Sequence, residues 1–296
     1  MTTSRIWYCC LAGAFCSTGL TVATATSNQF QVYPSRYKLV QIAHPAKIRH
    51  APQIRDAYGN STNWAGYAAE TNLSTPTLGS VTYAYGGWTV PKVTGVVGGE
   101  AAYSSAWVGI DGFEDAQLEA LFSGLPPAEQ VAMIDATETV EQIGTEQDWT
   151  GTGASYYAWF EFFPNDAYEI EGFTVKPGDG IAASVTYLGS NQWQCKLENF
   201  TRKETVTITA TFTADRYSAE WIIEAPSDEA GVLPLADFGS ISFGSCAATL
   251  NGKYLTISKT SWEALDMVEY DSTVLKASTS SLNAAGGGFS VKWLSN

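Results

Sequence analysis

Short runs rich in Val, Ile, Thr and aromatic residues recur along most of the chain. Residues of these types favour β-strands, because branched and aromatic side chains pack well on a pleated surface. Turn sequences such as Lys176-Pro-Gly-Asp-Gly180 and Asn251-Gly252 separate many of the runs, which favours antiparallel hairpins. The pattern predicts strands at 82–90, 103–110, 156–163, 181–187, 205–212, 219–224, 240–246, 254–259 and 288–293. Many short strands at this spacing predict a single all-β sandwich or barrel.

One segment departs from the strand pattern. Two stretches rich in helix-forming residues, 117–122 and 128–134, lie on either side of Pro126-Pro127. We therefore predict a helical insertion around 114–136 that leaves the sheet. A lid, an exosite and a plain loop are all open as its role.

The first 25 residues have the form of a secretion signal. Arg5 precedes an apolar run from Ile6 to Val22, and Ala23-Thr24-Ala25 is typical of a signal-peptidase site. A membrane anchor is the alternative, but the run is short and is broken by Cys, Ser, Thr and Gly. No later segment is apolar enough to cross a bilayer. The sequence predicts a signal peptide at 1–25 and an extracellular protein that does not stay in the membrane.

Charge divides the remainder of the chain. Residues 26–57 carry five basic residues against the single acid Asp56, together with both histidines of the chain, His44 and His50. Residues 58–296 carry ten basic and 29 acidic residues, a formal net charge of −19. We predict that 26–57 is a basic pro-segment, which lies on the acidic domain 58–296 and inhibits it; a solvated linker is the alternative. A domain with so large a net negative charge is not expected to bind nucleic acid, and it is suited to an environment of low pH.

Two cysteines, Cys195 and Cys246, follow the signal. They form one disulfide or remain two buried thiols. Asparagine sequons at Asn60, Asn72 and Asn199 are compatible with secretion and glycosylation.

The absence of histidine after His50 limits the chemistry of the domain. Once the pro-segment is removed, Ser-His-Asp and Cys-His catalysis and histidine-based zinc sites are excluded. Carboxylates and amides remain, and in Ala219-Glu-Trp-Ile-Ile-Glu-Ala-Pro226 strand alternation places Glu220 and Glu224 on one face. A carboxylate can act as a general base beside a water, and an amide N–H can stabilise the oxyanion that forms.

Five motifs resemble, in order, those of the glutamic peptidases, or eqolisins. The resemblance covers most of the chain after Tyr58 and implies an acid endopeptidase of polypeptides that needs no metal or organic cofactor. It also implies a concanavalin-like sandwich of two antiparallel sheets, one of them concave and holding the site; nothing in the sequence demands more than a monomer. The motifs are Asn60-Ser-Thr-Asn-Trp-Ala-Gly-Tyr67, Ser105-Ala-Trp-Val-Gly-Ile-Asp-Gly112, Val140-Glu-Gln-Ile-Gly-Thr-Glu-Gln-Asp-Trp149, Tyr156-Tyr-Ala-Trp-Phe-Glu-Phe-Phe-Pro164 and Ala219-Glu-Trp-Ile-Ile-Glu-Ala-Pro226.

The resemblance also implies the residues of the site. The family's catalytic Glu falls on Glu224 and its Gln, which opens a Gln-x-Gly pattern, falls on Gln142. Because the insertion lengthens the spacing from Asp111, Gln117, Gln130 and Gln147 are competitors of Gln142. Glu220 is expected to be supporting or solvated, and large aromatics such as Trp64 are expected to line the site or fill the core. The other expected substrate-binding or supporting residues are Trp107, Asp111, Asp148, Trp159 and Glu161.

Two other functions use the same concave face. In a glycoside hydrolase, Glu161 and Glu224 would be the acid and the nucleophile or base. A lectin-like module would bind glycan without catalysis. The Gln142 motif has no role in a two-carboxylate glycosidase, and a binding module has little need of a basic pro-segment, so the sequence favours the peptidase.

Overall fold

The computed structural model describes residues 30–42, 48–95, 99–113, 138–270 and 273–296. Within these residues the regular structure is β-strand, apart from a 3₁₀ turn at Ile257–Lys259. The helical insertion predicted around 114–136 lies outside the described residues. No helix in the described part of the chain is long and apolar enough to cross a membrane.

The described residues form 21 strands. In chain order the first eleven are β1 (Phe30–Tyr33), β2 (Lys38–Gln41), β3 (Arg55–Ala57), β4 (Asn60–Ser61), β5 (Trp64–Glu70), β6 (Val81–Thr89), β7 (Ser105–Ile110), β8 (Val140–Trp149), β9 (Ala154–Phe163), β10 (Tyr168–Glu171) and β11 (Gly180–Gly189). The others are β12 (Gln192–Asn199), β13 (Glu204–Thr211), β14 (Ser218–Glu224), β15 (Ser227–Asp228), β16 (Gly231–Val232), β17 (Ser240–Leu250), β18 (Lys253–Thr256), β19 (Ser261–Val268), β20 (Leu275–Thr279) and β21 (Phe289–Trp293).

Two antiparallel sheets make the sandwich, which confirms the predicted fold class. The inner sheet runs β2-β10-β9-β8-β7-β14-β5-β19. The outer sheet runs β1-β13-β12-β11-β6-β17, and β17 pairs further with β18 and β21. Strand β19 also pairs with β20, and through it the two sheets are continuous.

The main core lies between the two sheets, and β14 shows how alternation builds it. Trp221 and Ile223 are fully buried in this core, and the Trp221 indole donates to the Tyr85 carbonyl oxygen at 2.8 Å. Gly86 is required opposite this indole, because a Cβ there would lie 2.6 Å from Cδ1 of Trp221. The alternate residues Glu220, Ile222 and Glu224 therefore project from the other side of the inner sheet.

A second apolar cluster covers the free face of the inner sheet. It contains Trp64, Trp107 and Trp159, together with Ile48 and Ala51 of the predicted pro-segment. Upstream of these two residues, β1 extends the edge of the outer sheet and β2 extends the edge of the inner sheet. Residues 48–54 then cross the inner sheet's free face. The association of this segment with the domain therefore involves strand pairing and apolar burial as well as the charge that the sequence indicated.

Two details of the sequence interpretation are resolved by burial. Cys195 and Cys246 are both buried free cysteines, so the two-thiol alternative is correct. The Asn199 side chain is buried, and its amide donates to the Thr174 carbonyl oxygen and to Oδ2 of Asp179. The sequon at Asn199 is therefore not available for glycosylation in the folded chain, whereas Asn72 is exposed.

Buried carboxyls predict that the fold is most stable in acid. Burial raises the pKa of Asp111 to about 6 and that of Glu141, which lies in register with the core residues Ile110 and Phe162, well above its usual value. The pKa of each of these carboxyls is higher in the folded than in the unfolded chain. The stabilisation of the fold by the protonated carboxyl is therefore complete below the unfolded-state pKa of about 4 and is lost as pH rises through the folded-state pKa. For Asp111 the full loss is about 3 kcal/mol, of which about 2 kcal/mol falls between pH 4 and pH 7.

We therefore expect the melting temperature of the full chain, kept intact by the substitution Glu224→Gln, to fall from pH 4 to pH 7. The substitution Glu141→Gln, which cannot ionise, should flatten this dependence, whereas Glu171→Gln at an exposed position should not. Thermal denaturation followed by circular dichroism at pH 4, 5.5 and 7 measures both effects. A melting temperature that rises over this range would contradict the assignment of protonated core carboxyls.

Candidate active site

The predicted site residues other than Asp111 lie on the free face of four neighbouring strands of the inner sheet. Glu224 on β14 is opposite Ser105 on β7, which is opposite Glu146 on β8. Gln142 on β8 is opposite Gly109 on β7 and Glu161 on β9. Directly opposed residues share a face of a sheet, so the carboxyls and the amide project to the same side. All four polar side chains are fully buried.

Trp107 on β7 lies between these two rows and holds Glu224. Its indole Nε1 donates to Oε2 of Glu224 at 2.8 Å, and its ring packs edge-on against Trp64 with the centroids 4.9 Å apart. Two glycines accommodate this tryptophan. A Cβ at Gly109 would lie 2.7 Å from Cζ3 of Trp107, and one at Gly144 would lie 2.7 Å from its Cβ. The sequence places Trp107 as a site residue, and the structure gives it a defined contact with Glu224.

His50 of the predicted pro-segment is inserted into the same site. Its ring stacks on Trp159, with centroids 3.4 Å apart and planes at 7°. Nδ1 lies 3.1 Å from Oε2 of Glu161, and Nε2 lies 3.1 Å from Oε2 of Glu146. The Gln142 amide donates to the His50 carbonyl oxygen at 2.6 Å. The segment thus contacts Gln142, Trp159 and Glu161 directly.

Burial dominates the electrostatics of this group. It raises the pKa of Glu224 well above its usual value, and the charges of Glu161 and Glu146 raise it further, against the Trp107 hydrogen bond. It also raises the pKa of Glu161, an effect that the His50 contacts oppose, and that of Asp148. Like charges so close in a dry site cannot all ionise. The covered site therefore retains protons that a solvated group of carboxyls would lose.

Asp111 has a supporting position at the end of β7, away from Glu224. It adopts a left-handed backbone with φ of 70°, and its carboxylate accepts the backbone N–H groups of Arg216 and Tyr217, each at 2.6 Å. These residues directly precede β14. Asp111 therefore fixes the start of the strand that carries Glu224.

The structure separates the competing residues. The Gln147 amide donates to the Ser104 and Thr145 carbonyl oxygens, and strand alternation directs it away from Gln142. Gln117 and Gln130 lie outside the described residues. Glu220 is fully buried, so of its two expected positions, supporting or solvated, the solvated one was wrong. After burial, the charges that raise its pKa are those of Asp111, Glu70 and Glu138.

Two residues of the site were not predicted. Glu146 lies four positions after Gln142 on the same strand, so alternation from Gln142 already placed it on the same face. The sequence places His50 in the pro-segment, outside the domain whose chemistry it was expected not to join. No local sequence signal indicates where the side chain of a pro-segment residue docks.

Comparison with known proteins identifies the class to which this fold and site belong. A scan against family models matches residues 62–287 to the Peptidase A4 family. Aspergillopepsin-2 of Aspergillus niger is 27% identical over 237 residues, which cover 73% of each chain. Scytalidopepsin B of Scytalidium lignicola is 28% identical over 56% of this chain and 59% of its own length.

Solved structures agree on the architecture. Scytalido-glutamic peptidase with a transition-state analogue superposes with a TM-score of 0.58 at 22% identity, covering 79% of this chain and 98% of that one. Aspergilloglutamic peptidase from Aspergillus niger superposes with a TM-score of 0.51 at 27% identity, covering 65% and 99%. The fold is that of the glutamic peptidases. The chain belongs to the Peptidase A4 family and is a glutamic endopeptidase.

Proposed function

We propose that this peptidase is a secreted acid enzyme in which Glu224 activates water and Gln142 stabilises the oxyanion. The observation that carries the proposal is the contact of the Gln142 amide with a peptide carbonyl, that of His50, inside the buried site that contains Glu224. A donor aimed at a peptide oxygen is what oxyanion stabilisation requires. The preceding apolar run at 6–22 supports secretion.

The two side chains supply complementary chemistry. In each of them Oε1 has no hydrogen-bond partner among the described residues, so each has an acceptor available to orient a water. Ionised Glu224 takes a proton as the water oxygen attacks the carbonyl carbon, while the Gln142 N–H donates to the developing oxyanion. Glu224 then returns the proton to the leaving nitrogen.

The same pair suits acid conditions. The Gln142 amide remains a neutral donor at pH 3, where a second carboxylate would be protonated. Residues 48–54 cover the site, and their removal would expose Glu224 to water and lower its pKa towards the ordinary value of about 4.5. The uncovered enzyme would then have about a tenth of Glu224 ionised at pH 3.5 and most of it ionised above pH 4.5.

The basic segment 26–57 acts in this proposal as the inhibitor of the attached domain. His50 occupies the space between Trp159, Glu146 and Glu161, and its carbonyl engages Gln142. A polypeptide substrate needs the same groups. A solved structure shows the eqolisin SCP-B in a complex with the tripeptide Ala-Ile-His, which also contains a histidine.

The test is digestion of denatured casein by the acid-treated chain at pH 3.5, with pepstatin present to block aspartic peptidases. We expect internal cleavage products in mass spectra, little change with a metal chelator, and markedly less cleavage at pH 7. Products trimmed only from their ends would contradict endopeptidase action. Folded, processed protein that leaves casein intact but cleaves polysaccharide would favour the glycosidase instead.

A further inference from the structure

Residues 49–54 are bound across the site through their backbone, in the manner of an extended substrate. The N–H and C=O of Arg49 pair with Ser227, the residue that opens β15 beyond Glu224, both at 2.9 Å. The His50 N–H donates to Oε2 of Glu161 at 2.8 Å. Adding an extended segment to strand and loop backbone in this way is a common mode of peptide recognition.

The segment after His50 is held equally firmly. The Trp64 indole donates to the Ala51 carbonyl oxygen at 3.1 Å, and the Asn63 amide donates to that of Pro52 at 2.9 Å. The Gln53 N–H donates to the Gly112 carbonyl oxygen at 2.8 Å. The His50–Ala51 peptide bond is therefore clamped on both sides.

The carbonyl group of this peptide bond is also in contact with the Gln142 amide. Within residues 48–54, it is the His50 carbonyl oxygen that accepts the Gln142 amide N–H, at a distance suited to an oxyanion donor. Trp107, which binds Glu224, is in register through Gly144 with Trp159, on which the His50 ring is stacked. The stacking of the imidazole on Trp159 fixes His50, the residue that contributes the carbonyl group of this bond. Such positioning replaces a bimolecular encounter by an intramolecular one.

We infer that the enzyme cleaves its own chain between His50 and Ala51, and that this cut is the first step in releasing the pro-segment. The inference rests on the proposed function. In the minority of covered chains in which Glu224 is ionised, water adds to the His50 carbonyl carbon and gives a proton to Glu224. The C–N bond then breaks, its electron pair stays on the Ala51 nitrogen, and Glu224 returns the proton. The products are a carboxyl group on His50 and a free amine on Ala51.

The cut changes how the inhibitor is held. Before it, the segment is tethered to the domain and rebinds at high effective concentration. After it, the released segment is held by noncovalent contacts, among them β1, β2, the Arg49–Ser227 pairing and the His50 contacts, and can dissociate upon dilution. Residues 51–54 remain on the domain for later trimming.

The experiment follows the purified full chain after transfer to a series of buffers between pH 3 and pH 7, with haemoglobin hydrolysis measured in the same samples. We expect a new N-terminus, Ala51-Pro52-Gln53, as the earliest product, at a rate independent of protein concentration and with a matching lag in haemoglobin hydrolysis. Glu224→Gln should leave the bond intact, and Glu220→Gln, its buried neighbour on the same face, should cleave as the wild type does. His50→Ala should slow the cut at least ~10-fold, the equivalent of about 1.4 kcal/mol, whereas the exposed Lys38→Ala should not.

Two results would overturn the inference in distinguishable ways. Haemoglobin hydrolysis that begins while His50–Ala51 is intact, or after a first cut elsewhere, rejects this bond but keeps the peptidase. A chain that neither cleaves itself nor hydrolyses haemoglobin at any pH in the series, even after another peptidase has removed the pro-segment, rejects the proposed function, and this inference with it.

Discussion

Replacing Glu224 by Gln should lower kcat/KM for peptide hydrolysis by roughly 10²–10⁴-fold, the range expected for loss of a general base. The amide keeps the shape of the side chain and can still accept the Trp107 indole N–H, but it cannot take a proton from water. Hydrolysis of a fluorogenic peptide at pH 3.5 measures the effect. Each variant is first processed by immobilised wild-type enzyme, which is then removed, so that the comparison is between uncovered sites.

The matched control for this prediction is Glu220→Gln. Glu220 is on the same strand and face and is equally buried, and burial raises its pKa well above the usual value, so the amide replaces a protonated acid. We expect kcat/KM to stay within a few-fold of the wild type. Loss of activity in the control and retention in Glu224→Gln would show that the two glutamates have been assigned in the wrong order.

Replacing Gln142 by Ala should lower kcat by roughly 10²–10³-fold, as is found when one oxyanion donor is removed. KM should change less, because the donor matters most when negative charge develops on the oxygen. Steady-state kinetics with the same peptide separate the two constants. A rise in KM with kcat unchanged would indicate that Gln142 only binds substrate.

Gln142→Glu distinguishes a donor from a merely space-filling side chain. A protonated carboxyl retains one O–H donor, whereas the ionised form has none. Residual activity of this variant should therefore fall as pH rises through the pKa of the new carboxyl, at lower pH than the wild-type activity falls. Identical pH profiles for the two proteins would argue against oxyanion stabilisation by this residue.

The sequence predicted the sandwich and the face of β14 well, because both depend on local alternation. Glu220, Ile222 and Glu224 share one side and Trp221 and Ile223 the other, as expected from a strand of this composition. The family resemblance pointed to Gln142 and Glu224, which lie on one face of the inner sheet, on strands β8 and β14 that flank β7. The strands Trp64–Glu70 and Val140–Trp149 were missed as strands, since glycines and buried polar residues interrupt their apolar runs.

Contacts between distant parts of the chain could not be predicted from local alternation. His50 and Gln142 are 92 residues apart, and their hydrogen bond depends on how the N-terminal segment crosses the finished sheet. The basic composition of 26–57 indicated attraction to an acidic domain but not the insertion of an imidazole between Trp159 and two glutamates. The burial of Glu220 likewise depends on packing around β14 that its local pattern does not specify.

The central claim, that Glu224 and Gln142 act together on one transition state, is tested most directly by a double-mutant cycle. The processed wild type, Glu224→Gln, Gln142→Ala and the double variant are compared by kcat/KM at pH 3.5, with folding checked by circular dichroism. If the two residues work as a unit, the double variant should be little worse than the more damaged single variant. Losses that multiply, or a single variant that keeps wild-type activity, would contradict the claim.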